Sequence, residues 1–138
     1  MMKINKERLL DLLEPLYNVT GIKVAVYDAE FNEVLTYPKN DSKFCTIIRN
    51  NPISGLECEK STQVHCKLCA ETKRTEIRQC HTGLTEVVAP LTDGITTIGY
   101  IMFGQITNIK DKDLFYKSTL QKCEKYIIRE NIRKGRYL

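Results

Sequence analysis

The dipeptide Asp93-Gly94, set between two apolar stretches, constrains the fold of this 138-residue chain more than any other feature. Asp-Gly favours a tight β-hairpin, because a type I′ turn requires positive φ at both of its central residues. The flanking stretches, at about 84–91 and 95–103, therefore predict two paired antiparallel strands. An antiparallel sheet should form the centre of the fold.

The remaining segments predict further strands and helices around that hairpin. Apolar stretches bounded by turn residues predict three more strands, at 22–27, 33–36 and 75–81. Helical spacing of apolar residues and capping signals predict four helices, at about 5–17, 43–50, 54–74 and 111–129. Ser54 and Glu57 form a capping-box pattern at the start of the third helix. Ser61 marks a point where that helix could break.

The predicted order is helix, two strands, helices, three strands and a final helix. This order predicts an α+β fold, with a five-stranded antiparallel sheet covered on one face. The short helices are inserted between strands 2 and 3, and N- and C-terminal helices flank the sheet. A PAS-like domain has this order, so the fold class is predicted to be PAS-like.

The positive charge of the chain lies at its C-terminal end. The whole chain carries a net charge of +4, and from Lys110 onward nine Lys or Arg residues face four acidic ones. The preceding 109 residues therefore carry a net charge of −1, which argues against a nucleic-acid-binding surface there. We expect a PAS-like domain over 1–130, and 131–138 as the start of a basic linker to a further domain.

The apolar stretches also bear on the compartment. None approaches the ~18 residues that a membrane helix requires. The start of the chain lacks the apolar stretch of a secretion signal. A cytoplasmic protein without membrane contact is therefore expected, in which cysteines serve as thiols or metal ligands rather than as disulfides.

Four of the six cysteines fall within a short stretch of the chain, as Cys58, Cys66, Cys69 and Cys80. Cys66 and Cys69 have the spacing that places two thiolates on one helical turn, and zinc would need two further ligands. On one continuous helix, Cys58 and Cys69 would be ~16 Å apart, too far to share an ion. A zinc or iron–sulfur site therefore requires a break near Ser61, or Cys80 and a histidine (His65 or His81) in place of Cys58. Packing without any cofactor is favoured over a metal site or a redox thiol pair. Cys123, on the apolar stripe of the final helix, should be a core residue.

Cys80 and His81 are adjacent, and this spacing argues against a catalytic pair. Neighbouring strand residues point to opposite faces, so His81 is poorly placed to deprotonate Cys80. With no evident oxyanion site, the chain is predicted not to be an enzyme.

Glu86 interrupts an apolar strand, either as a solvent-facing residue or as a carboxylate in a pocket. Gln105, at the end of an apolar row, suits either a ligand hydrogen bond or a strand-end cap.

Three segments together resemble the PocR-type sensory domain, a PAS-like family. They are Phe44-Cys45-Thr46-Ile47-Ile48-Arg49, Cys80-His81-Thr82-Gly83-Leu84-Thr85-Glu86 with the following Pro90-Leu91, and Gly99 to Gln105. The resemblance covers about residues 5–127. Thr82 replaces the usual alanine, and the cysteines between 58 and 80 exceed those of the family pattern.

The resemblance implies a non-catalytic regulatory input module that binds a small organic compound, such as a short diol. Such modules usually precede an AraC-type DNA-binding domain or a histidine kinase. The ligand is expected between the sheet and the helices of 43–73, with occupancy relayed through the C-terminal helix. The predicted contact residues are Cys45, Cys80, His81, Glu86, Tyr27, Phe103 and Gln105. A metal, iron–sulfur or thiol redox sensor is the alternative, and a homodimer through the first and last helices is a further expectation.

Overall fold

The structure is a computed structural model that describes residues 4–106 together with Leu114, Lys117 and Gln121. Three helices are complete within these residues: α1 (Lys6–Thr20), α2 (Lys43–Asn50) and α3 (Pro52–Thr72). The five strands are β1 (Lys23–Asp28), β2 (Glu33–Tyr37), β3 (Glu76–Gln79), β4 (Thr85–Thr92) and β5 (Thr97–Ile106). The predicted order is thus confirmed up to β5. The predicted final helix lies outside the described residues except at the three isolated positions, which are helical, and Cys123 lies outside them altogether.

The five strands form one antiparallel sheet in the order β2-β1-β5-β4-β3. β1 and β5 occupy its centre, where Val26 pairs with Ile101. β4 continues the sheet beyond β5, with Val88 opposite Met102. Together with the insertion of α2 and α3 between β2 and β3, this topology confirms the predicted α+β, PAS-like fold class.

Helices cover both faces of the central strands, which corrects the expectation of a sheet covered on one face. Val24 and Val26 are fully buried and pack in one cluster with Leu13 of α1. Ala25 and Tyr27, which alternate with them along β1, belong to a second cluster with residues of α3. A strand in which four consecutive residues are buried must have apolar neighbours on both faces, because side chains alternate with a period of two.

The hairpin between β4 and β5 is confirmed, but its turn type is not I′. Thr92 pairs with Thr97, so four residues form the connection. Gly94 has φ of 104°, whereas Asp93 is not among the described non-glycine residues with positive φ. Instead, the Asp93 carboxylate accepts hydrogen bonds from the backbone N–H groups of residues 95 and 96, at 3.2 and 2.8 Å. An aspartate that caps its own turn in this way does not need positive φ.

Helix α3 begins earlier than predicted because Asn51 competes successfully with Ser54 as its N-cap. Asn51 ends α2, and its side-chain oxygen accepts hydrogen bonds from the first turn of α3, including one from Ser54 N at 3.2 Å. Pro52 follows at a position where its missing N–H costs nothing. The helix then continues without a break through Ser61 to Thr72. Helices α2 and α3 are therefore joined by a single residue.

Candidate functional site

A cavity lies between the α2–α3 pair and the face of the sheet that carries Tyr27. It has three adjoining parts, which we name by their position. The outer groove, of about 670 Å³, is bounded by residues that include Tyr27, Glu33, Arg49, Leu56, Cys58 and Thr62. The inner compartment, of about 30 Å³, is lined by residues that include Cys45, Arg49, Cys58, Cys80, His81 and Glu86. The sheet-side compartment, also of about 30 Å³, is lined by residues that include Lys23, Tyr27, Glu33, Arg49, Thr62 and Glu86. Arg49 and Thr62 line all three parts.

The turn between β3 and β4 brings Cys80 and His81 to the inner compartment. Gly83 adopts φ of 95°, a left-handed conformation that favours glycine, and its N–H donates to Cys80 O at 2.9 Å. The two neighbours then contact different partners. Cys80 Sγ lies 3.0 Å from Thr82 Oγ1, whereas His81 Nε2 lies 3.1 Å from Cys58 Sγ on α3. The prediction placed both residues on a strand, whereas β3 ends at Gln79 and they lie in the turn that follows, where His81 has a different cysteine as its neighbour.

Glu86 points into the cavity rather than into solvent. Its side chain is 12% exposed, and Oε2 lies 2.7 Å from Nδ1 of His65, which is buried on α3. The register between β4 and β5 shifts between Thr85 and Val87, so Glu86 sits at an irregularity of the ladder. Such irregularities redirect side chains. Of the two alternatives that the sequence left open, the structure thus supports the carboxylate in a pocket.

Asp41 connects the strand at the floor of the cavity to the helix that covers it. Its carboxylate pairs with Lys23 Nζ on β1 and, at 3.1 Å, with Arg49 Nη1 on α2. Arg49 also lines the inner compartment together with Cys58 of α3. Burial lowers the pKa of Arg49, whereas the nearby Asp41 and thiols raise it by more. The net shift of the pKa is upward, so the guanidinium remains charged. One guanidinium therefore contacts both the ion pair and the inner compartment.

Two thiols and a phenol on the cavity wall, those of Cys45, Cys58 and Tyr27, stay protonated at neutral pH. Burial raises the pKa of Cys45 to about 11, and it raises that of Cys58 to about 11 although Arg49 opposes the shift. Burial, assisted by the charge of Glu33, also raises the pKa of Tyr27. Neutral thiols and a neutral phenol leave the fixed charges of the cavity to the ion pairs and carboxylates. The wall between those charges is weakly polar and uncharged.

Four of the predicted contact residues meet at the inner compartment, as Cys45, Cys80, His81 and Glu86. Tyr27 lines the two neighbouring parts of the cavity. Phe103, in contrast, packs with the α1 cluster on the opposite face of the sheet. Neighbouring strand residues point to opposite faces, and Met102 belongs to the cavity-side cluster. Phe103 must therefore point away from the cavity. The side chain of Gln105 lies outside the described residues.

Sequence reasoning missed four residues of the site or gave them another role. They are Arg49, Cys58, Thr62 and His65. Three of them lie on α3 at positions i, i+4 and i+7, the spacing of one helical face. A search for polar residues at that spacing would have found this face. Arg49 was already part of the quoted motif at 44–49, but no contact was assigned to it.

The cysteines do not assemble into the predicted metal site. Cys66 and Cys69 are fully buried in the core cluster with Val88, and Cys69 Sγ donates to a backbone carbonyl, that of Arg74, at 3.2 Å. Because α3 is unbroken, Cys58 remains ~16 Å from Cys69 along the helix. Within the described part of the chain, no group of three or more His, Cys, Asp or Glu residues could hold a metal ion. These placements correct the prediction of a site formed by Cys58, Cys66, Cys69 and Cys80.

The sheet order, the inserted helices and the cavity beneath them define a PAS-like domain. The sequence profile of the family described as the sensory domain found in PocR matches residues 3–135. The chain belongs to this family of sensory domains, which confirms the resemblance drawn from the three motifs. Regulatory protein PocR of Salmonella typhimurium is a similar protein, 24% identical over 111 residues. The matched part is 80% of this chain and 36% of that relative, so the chain corresponds to about a third of the relative's length.

Family membership indicates a sensory, regulatory role. Among the described residues, no helix is both long and apolar enough to span a membrane. The division into a domain over 1–130 and a linker over 131–138 remains a prediction, because the described residues do not extend that far.

Proposed function

We propose that this domain is a non-catalytic input module of a cytoplasmic regulator and that it binds a small, neutral, hydroxyl-bearing molecule. The observation that carries the proposal is the Glu86 carboxylate, which lies between the inner and sheet-side compartments and is fixed by His65. A buried carboxylate accepts hydrogen bonds and is well suited to a ligand that donates them. Short diols have this chemistry, as the family resemblance also implies.

The charges around the cavity favour a neutral ligand. Two cations, Lys23 and Arg49, are both paired with Asp41, and Glu33 and Glu86 add negative charge. An anionic ligand would meet this negative charge and would compete with Asp41 for the same cations. The protonated thiols and phenol of the wall contribute no charge that would attract an ion. A hydroxyl-bearing compound avoids both costs.

The size of the cavity limits the size of the ligand, and a ligand that exceeds it would displace the helices above. The inner compartment has room for about one water molecule, so a diol must extend into the outer groove or displace the helices above it. Displacement of α2 would act on the Asp41 ion pairs, which join that helix to β1. A ligand drives such a shift only to the extent that it binds one arrangement more tightly than the other.

The downstream parts of the proposal rest on the family. We expect the change to pass from β5 through the C-terminal helix to an output domain in the same chain, either an AraC-type DNA-binding domain or a histidine kinase. The proposed mechanism requires no cofactor. A homodimer is compatible with the exposed apolar residues of α1, which include Leu12, Leu16 and Val19.

A thermal-shift measurement tests the proposal. Two- to four-carbon diols should raise the Tm of the protein, and the corresponding monoalcohols at equal concentration serve as controls. Glu86→Gln should abolish the diol-induced increase, whereas Glu71→Gln, the same change at an exposed position of α3, should retain it. An absence of any shift across the diols, or an equal shift in Glu86→Gln, would contradict the proposal.

A further inference from the structure

The inner compartment contains a thiol with a base and a cation beside it. Cys58 Sγ lies 3.1 Å from His81 Nε2, and the positive charge of Arg49, which lines the same compartment, opposes the upward shift of the Cys58 pKa. Cys58 is half-buried and lines both the inner compartment and the outer groove, so a small molecule in the groove can reach the sulfur. A partly exposed cysteine can act as a nucleophile when a neighbouring histidine removes its proton.

The other described cysteines lack this combination of access and neighbours. Cys66 and Cys69 are fully buried in the core, and Cys45 is 8% exposed. Cys80 is half-buried at the same compartment, but its sulfur contacts the Thr82 hydroxyl, which is too weak a base to remove a thiol proton. Cys80 is therefore a matched internal control for Cys58.

We propose that Cys58 is a modification site for small α,β-unsaturated carbonyl compounds, with His81 as the base that accepts its proton. The proposal rests on the proposed function only because the same cavity must admit the compound. In the reaction, Sγ forms a bond to the β-carbon, and the electrons of the carbon–carbon double bond shift to give the enolate. The thiol proton moves to Nε2 of His81 and then to the α-carbon. The whole compound is added, nothing leaves, and no external oxidant or reductant is needed.

His81 is necessary in this step because Cys58 is a thiol and not a thiolate at rest. Burial raises its pKa to about 11, so the free thiolate fraction at pH 7 would be on the order of 10⁻⁴. Removal of the proton during attack avoids the need for that rare species. The adduct would then lie next to Arg49 and Glu86, the residues through which the proposed ligand acts.

Site-resolved labelling of the 138-residue chain with acrolein tests the inference. We expect peptide mass mapping to show modification of Cys58 at least about tenfold faster than that of Cys80, from the difference in their neighbours. Cys58→Ser should remove this fast phase, and Cys80→Ser should leave it unchanged. His81→Gln should slow labelling of Cys58 by about 100-fold, at the lower end of what a positioned base supplies, without changing labelling of Cys80. The Cys58-to-Cys80 ratio in the unmodified sequence carries the test even if His81→Gln does not fold.

Equal labelling rates at the two cysteines, or an unchanged Cys58 rate in folded His81→Gln, would overturn the inference. Its failure is distinguishable from failure of the proposed function. Absence of a fast Cys58 adduct, together with a diol-induced rise in Tm, overturns the modification site alone. A fast Cys58 adduct without any diol effect supports the modification site and contradicts the diol sensor.

Discussion

Substitution of Gly55 by alanine tests how closely α2 and α3 must approach over the cavity. A Cβ atom at this position would lie 2.6 Å from the backbone carbonyl oxygen of Arg49. The neighbour is backbone, so it cannot move away as a flexible side chain would. Alanine favours a helix over glycine by about 1 kcal/mol, but an overpacked contact of this kind costs about 1–3 kcal/mol. We expect the steric cost to exceed the helical gain by about 1 kcal/mol.

This difference should be visible in thermal unfolding followed by circular dichroism. A loss of about 1 kcal/mol corresponds to a Tm lower by about 4 °C for a domain of this size. Lys60→Ala, at an exposed position of α3, is the control for a general effect of alanine in the helix, and it should change the Tm little. Gly55→Ala should also weaken the diol response, because Arg49 must shift. A Tm equal to or above that of the original protein would refute the argument that close helix approach requires glycine here.

Two further predictions concern the helix junction and the buried thiols. Asn51→Ala should lower the free energy of unfolding by about 1 kcal/mol or more, because it removes the N-cap of α3; Asn50→Ala, at the exposed neighbouring position, is the control, and urea titrations that show equal losses would contradict this role. Burial raises the pKa of Cys45 from 9.0 to about 11, so the unfolded chain releases this proton first and the stability due to Cys45 is lost as pH rises from about 9 to 11. Between pH 8 and pH 10, Cys45→Ala should therefore lose about 1 kcal/mol less unfolding free energy than the original protein, as measured by urea titration. An identical loss in the two proteins would contradict the pKa shift.

The sequence predicted those features of the fold that depend on local pattern. Element order and the β4–β5 hairpin follow from apolar periodicity and from Asp93-Gly94. The type of turn did not follow, because the Asp93 side chain caps the loop and makes the second positive φ unnecessary. The start of α3 depended on a competition between two adjacent capping patterns, at Asn51 and at Ser54. In the structure the Asn51 side chain caps the helix, whereas the Ser54 hydroxyl donates to the carbonyl of Ile48 in α2, a contact that the local pattern does not contain.

The site was predictable only in part, since its decisive contacts join residues that are distant in sequence. The motif at 80–86 identified most of the inner compartment. The orientation of Glu86 depends on an irregularity in the pairing of β4 with β5, and its partner His65 lies 21 residues away on another element. Phe103 was assigned to the wrong face because the sheet was expected to have one covered face, whereas α1 covers the other. Strand alternation was known from the sequence, but the identity of the layer on each side was not.

The buried polar side chains of the described residues all have hydrogen-bond partners, and this condition limits how a ligand can act. No buried side-chain nitrogen or oxygen among them lacks a partner. A ligand that competes for the contact between Glu86 and His65 therefore exchanges an existing hydrogen bond for a new one, and the net gain in free energy is small unless the protein rearranges. Arg49 is the residue at which such an exchange has consequences elsewhere, because its guanidinium pairs with Asp41, which also pairs with Lys23 on β1. We expect a ligand that changes the partners of Arg49 to shift α2 relative to β1, because the Asp41 ion pairs join these two elements.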